Sequence, residues 1–249
     1  METVSRIKVG IGGWSYEPWR GTFYPQGLRQ KDELAYASRH VTAIEINATY
    51  YRSQSAKSFA AWAQAAPDGF VYALKASRYC TNRTRLAEAG ESIARFFAQG
   101  LTELGDRLGP ILWQFAPTKR FDADDFGAFL ALLPTEIGGL RLRHALEVRH
   151  ESFRDPAFIE LARGAGTAIV FADHDVYPCI PDQVADFTYA RLMRAQEAEE
   201  TGYASAELDR WADQARSWAE DRRDVFIFMI NGAKVRAPAA AGALISRLD

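Results

Sequence analysis

Residues 42–77 read TAIEINATYYRSQSAKSFAAWAQAAPDGFVYALKAS, and the way the two ends relate to the middle decides the fold. TAIEIN (42–47) and FVYALKAS (70–77) are short, apolar and rich in β-formers. Between them, SAKSFAAWAQAAP puts Phe59, Trp62, Ala63 and Ala66 at the i, i+3, i+4, i+7 spacing of an amphipathic helix. A strand, a helix and a strand in that order imply parallel pairing through a right-handed crossover. The first of these strands also carries an anomaly. Side chains alternate along a strand, so Ala43, Glu45 and Asn47 share one face while Ile44 and Ile46 share the other. An unpartnered buried carboxylate costs several kcal/mol, so Glu45 demands compensation from elsewhere in the chain.

Outward from this unit the pattern repeats. Eight apolar runs occur in order: IKVGIGGW (7–14), TAIEIN (42–47), FVYALKAS (70–77), GPILWQFA (109–116), RHALEVRH (143–150), TAIVFAD (167–173), FTYARLM (187–193) and VFIFMIN (225–231). Amphipathic segments separate most of them, at 28–40, 55–67, 89–109, 122–133, 155–166 and 204–222. Asp155-Pro156 supplies a cap and a first-turn proline, and Gly164 and Gly166 supply a stop. Eight alternating units close into a (β/α)₈ TIM barrel. An open doubly wound sheet would expect a Gly-rich phosphate turn after the first strand, and VGIGGWSYEPW lacks that spacing. HDVYPCIPDQVAD, between strands six and seven, is too short and proline-containing for a barrel helix. With no linker or low-complexity segment, residues 1–249 read as one barrel domain.

Composition sets the outer limits. A hydrophobic share of 48% and a charged share of 25% are those of a globular protein, and a net charge of −2 gives no global pull toward nucleic acid or anionic membrane. METVSRIKVG has no signal-peptide core, and no run approaches the roughly 18 apolar residues of a spanning helix, so the reading is a cytoplasmic protein. Cys80 and Cys179 make neither a disulfide framework nor a CxxC zinc site.

The strand ends carry the chemistry. In a barrel of this kind the site lies at the C-terminal rim, where this chain places Trp14, Glu45, Asn47, Lys75, Gln114, Glu147, Arg149, His150, Asp173, Arg191 and Asn231. The pairs Glu45/Asn47, Lys75/Ser77 and Glu147/Arg149 are spaced by two and share a face. Glu45, Glu147 and Lys75 are the candidate catalytic groups, the carboxylates as acid and base, with Arg149 and Arg191 stabilising charge. Trp14, Asn47, Tyr50, Gln114, His150, Asp173 and Asn231 are candidate substrate contacts. Arg78, with Arg83 and Arg85 in SRYCTNRTR, could clamp a phosphate or carboxylate.

Other readings compete with this one. Glu45 and Glu147 could be a glycosidase pair. Lys75 could form a Schiff base, although nearby carboxylates favour its pairing as an ammonium. Glu45, Glu147, His150 and Asp173 could hold a divalent metal, but neither HxH nor HExxH occurs, and no metal or cofactor is expected. Satisfaction of buried charge alone would also produce such a network.

GWSYEPWRGTFYPQGL, IEINATYYR, LKASRY, LGPILWQFAP, LEVRHESF and the segment from Arg191 to Tyr203 together resemble the DUF72 or YecE-like family, in order over nearly the whole chain. The resemblance implies a TIM barrel of unestablished activity with its pocket at the strand ends. Two departures from the family pattern stand out. Met193-Arg194 replaces a His-Gly pair after strand seven, and Asn231-Gly232-Ala233-Lys234 replaces an Asn-Asn-Asp type of run after strand eight, both of which should deplete the mouth of polar groups. The combined expectation is an enzyme, a hydrolase, lyase or isomerase, acting on a small polar or anionic substrate. A nucleic-acid-binding barrel and a non-catalytic metabolite-binding barrel are the alternatives.

Overall fold

A computed structural model describes residues 6–249. The eight apolar runs all form strands: Ile7–Gly12, Ala43–Ile46, Val71–Lys75, Leu108–Gln114, His144–Glu147, a sixth in two pieces (Ala168–Ile169 and Phe171–Asp173), Phe187–Leu192 and Asp224–Met229. Every pairing among them is parallel, and strand one lies between strands two and eight. The ring is completed through strand six, whose first piece pairs with strand five and whose second pairs with strand seven. Val170, between the pieces, still donates its N–H to Leu146 O at 3.0 Å.

The helices Ala56–Ala65, Gly90–Phe97, Ala123–Ala131, Pro156–Gly164 and Ser205–Trp218 follow the sequence periodicity. Local caps fix their starts: Ser55, Asp122 and Asp155 accept from backbone N–H groups of their own first turns. Segment 89–109 breaks at Gly100, whose φ of 93° no helix accommodates. No helix forms between Asp173 and Phe187. The terminal helix Ala237–Leu248 escapes the periodicity reading because alanine dominates it and leaves little polar contrast between its faces. Among the described residues no helix is long and apolar enough to cross a membrane.

Parity divides the strands between two cores. Ile11, Ile44, Ile46, Leu74, Trp113, Leu146 and Ile227 face the helices. Ala43, Ala73, Ala145, Ala168 and Ala172 face inward, where Phe187, Tyr189, Phe226 and Phe228 fill the space these small residues leave. Gly10 belongs to this tight interior, since a Cβ there would lie 2.1 Å from the Ala43 carbonyl oxygen.

Candidate functional site

Above the aromatic layer, the barrel interior becomes polar. Arg191, on strand seven, is buried at the axis and donates from Nε and Nη2 to the two oxygens of Glu45, at 3.1 and 3.0 Å. Its Nη1 donates to Glu147. Tyr189 OH donates to Glu45 at 2.7 Å, Gln114 Nε2 to Glu147 at 2.9 Å, and Arg149 Nε to Glu147 at 2.7 Å. The compensation that Glu45 demands is therefore an arginine fork and a phenol. Burial pushes the Glu147 carboxyl up, but Arg191 and Arg149 outweigh it and hold the group down at about 2. Burial likewise disfavours the Arg191 cation, and the two carboxylates reverse that and raise its pKa.

Over this layer opens a cavity of about 700 Å³, with Arg52, Lys75, Arg149, Arg191 and Lys234 in its lining. Trp14, Trp19, Asn47, Gln114 and Asn231 also line it. Among the described residues no carboxylate does. Glu45 and Glu147 lie beneath Arg191, and its guanidinium occupies the space between them, where a glycosidase would hold its scissile bond.

Lys75 departs from the expected pairing. Its side chain is 6% exposed. Among the described residues Nζ makes no hydrogen bond or ion pair and rests 4.2 Å from the centre of the Tyr50 ring. The carboxylates that were expected to hold it are already saturated by Arg191, Arg149, Tyr189 and Gln114. Burial, reinforced by the Arg191 charge, lowers its pKa to about 8.

Four expected contacts are absent from the lining, and the first of them, Tyr50, packs its ring against Lys75 Nζ and accepts from Asn82 Nδ2 at 3.3 Å while its neighbour Tyr51 lines the cavity. Asp173 turns away from the axis because Ala168, Val170 and Ala172 take the inward positions, and it faces Arg194 at 3.6 Å beside a separate cleft. His150 accepts from Ser152 N at 3.1 Å and caps the turn Glu151–Arg154. Arg78 opens the turn Arg78–Thr81 from its exposed side, with its guanidinium over the Tyr79 ring. Arg83 is spent on its own loop, donating to Tyr79 O, Glu88 O and Ser92 Oγ. Among the described residues no group of three or more His, Cys, Asp or Glu side chains is placed to hold a metal ion.

The loops contribute what the strands do not. Trp19 Nε1 donates to Lys234 O at 2.9 Å, tying the first loop to the last. Buried Glu33 accepts from Ser15 at 2.6 Å and from Arg20 at 2.8 Å, which fixes the first loop from within. Lys234 Nζ sits 4.4 Å from the Tyr16 ring centre. The departure after strand eight thus supplies a cation to the mouth, whereas Met193 does leave an apolar position, with Sδ 3.9 Å from Asn231 Nδ2. Asn231 holds a left-handed φ of 59°, a conformation that non-glycine residues keep only where the surroundings enforce it. Tyr189 was legible, two residues before Arg191 on the same face; Arg52 gave no sequence signal.

Known proteins share this architecture. The UPF0759 protein YunF of Bacillus subtilis (strain 168) is 25% identical over 225 residues, which is 87% of this chain and 77% of that protein. The crystal structure of a DUF72 family protein from Thermotoga maritima MSB8 superposes with a TM-score of 0.75 at 24% identity, covering 96% of each chain. One from Enterococcus faecalis V583 does so with a TM-score of 0.75 at 17% identity, over 97% of this chain and 95% of its own. The model of the family described as protein of unknown function DUF72 matches residues 8–249, and the protein belongs to that family.

Proposed function

We propose that the cavity binds a small anionic substrate and that the protein is an enzyme whose reactive group is Lys75. One observation carries the reading: among the described residues, five cationic side chains and no carboxylate line the space. Arg52, Arg149 and Lys234 hold the substrate's charge, and Asn47, Gln114 and Asn231 orient it. Glu45 and Glu147 serve as anchors that fix Arg191 and Arg149. Buried and ionised, Glu147 is a poor proton donor at neutral pH.

The test is calorimetric titration of inorganic phosphate and succinate into wild type and Arg149→Lys. The lysine keeps the charge but loses the fork, so affinity should fall by about tenfold, roughly 1.4 kcal/mol, while the fold survives. Equal affinities would make Arg149 a strut.

A second reading has its own support. Tyr51 and Tyr79 are 62% and 61% exposed on neighbouring turns, next to Arg52 and Arg78, an arrangement suited to stacking bases and contacting phosphates. Salt separates the two readings. Binding of an oligonucleotide would weaken steeply with ionic strength, whereas a small anion in a recessed cavity responds mildly.

A further inference from the structure

Lys75 is placed as an amine nucleophile. It ends strand three, lines the cavity beside Arg149 and Arg191, and has a π face in place of a counter-ion. Both nearby carboxylates are committed to guanidiniums, and among the described residues no carboxylate hydrogen-bonds or ion-pairs with Nζ, so Glu45 and Glu147 favour the ammonium only from a distance and are outweighed by burial and Arg191. An amine freed in this way, next to other cations and largely out of water, is the arrangement that activates lysine toward carbonyl carbon.

We propose that Lys75 forms an imine with the carbonyl of a small anionic substrate, an α-keto acid or a phosphorylated aldehyde or ketone. The inference rests on the anion-binding reading above. The neutral amine adds through its lone pair to the carbonyl carbon, the C=O π pair moves to oxygen, and one amine hydrogen passes from nitrogen to that oxygen to give a neutral carbinolamine. The carbinolamine then loses its oxygen as water, with the second amine hydrogen leaving as a proton, and a C=N bond remains. Arg149 and Lys234 hold the carboxylate or phosphate of the same molecule. A pKa of about 8 leaves a useful fraction of amine at neutral pH, where an ordinary lysine has almost none.

The experiment is reductive trapping at neutral pH. The intact protein is incubated with pyruvate or glyoxylate and sodium cyanoborohydride, then digested and mapped by mass spectrometry, with calorimetry of the same acids run in parallel. Lys75 should be alkylated at least about tenfold faster than Lys31, Lys57 or Lys119, because its larger amine fraction outweighs its lower intrinsic nucleophilicity. Lys75→Arg and Lys75→Met should both lose the modification at that peptide, and excess phosphate should slow it in wild type. Binding without selective trapping at Lys75 overturns the imine and leaves the anion site standing. Absence of both binding and selective trapping overturns the two together.

Discussion

At the scale of single residues, Lys75 and Glu147 are opposite cases of buried charge. The Lys75 pKa of about 8 in the fold lies below its ordinary 10.5, so between these values the unfolded chain binds more protons. The ammonium therefore opposes folding below about 8, and this cost fades as pH rises toward 10.5. Lys75→Met should stabilise the protein at neutral pH by up to roughly 3 kcal/mol in urea denaturation, with the gain shrinking in alkali. A loss of stability in this variant would mean that the amine has a favourable partner. Glu147 has the reverse sign: its folded pKa of about 2 lies below 4.5, so its contribution is complete above 4.5 and lost as pH falls toward 2. Glu147→Gln takes the only carboxylate among the described residues from Arg149 and leaves Arg191 with Glu45 alone, and should cost about 3 kcal/mol near neutrality, while flattening the acid limb of the stability curve.

At the scale of elements, the strand interfaces set tolerances that composition hides. Gly10 needs no unusual backbone angle, yet an added methyl would meet the Ala43 carbonyl oxygen at 2.1 Å, so strands one and two would have to part. Gly10→Ala should cost about 3 kcal/mol or more, measured by urea denaturation. Gly13→Ala is its control: φ is 74° with nothing within 4 Å of the new methyl, leaving only left-handed strain of about 1–2 kcal/mol. A Gly10→Ala loss no larger than that of Gly13→Ala would show that strands one and two separate at little cost. The elements also explain what could be read in advance. All eight strands were visible because each is an apolar-rich run between turn signals, and Glu45, Lys75, Glu147, Arg149 and Arg191 share the parity of the inward-facing Ala43, Ala73, Ala145 and Tyr189. Depth along the axis was not visible. Two carboxylates at the rim and two sealed beneath an arginine give the same pattern in sequence. His150 and Asp173 fall on outward positions that the same parity, carried one residue further, assigns to them. The short turn Ala48–Tyr51, which carries two of the tyrosines near the mouth, is only four residues long, below what periodicity resolves.

At the scale of the whole molecule, the ring is uneven. Strand eight pairs over five positions with strand one and six with strand seven. Strand six, broken at Val170, pairs over two positions with strand five and three with strand seven, and no helix covers the connection that follows it. Fewer ladder bonds and thinner cover lower the free energy of local opening. Amides of 168–173 should therefore exchange with deuterium sooner than those of 224–229 under native conditions. Equal protection would show that the ring opens only as a unit.

The packed axis has a consequence for traffic. Phe187 and Phe226 sit beneath Tyr189 and Arg191, with the Arg143 guanidinium 4.6 Å from the Phe226 ring centre, so no passage runs through the barrel. The packed layer is the floor of the cavity, which opens on the loop side. Whatever enters must back out the way it came, and a newcomer waits for the vacancy instead of pushing the occupant onward. Departure then keeps its own clock, indifferent to how many molecules queue outside.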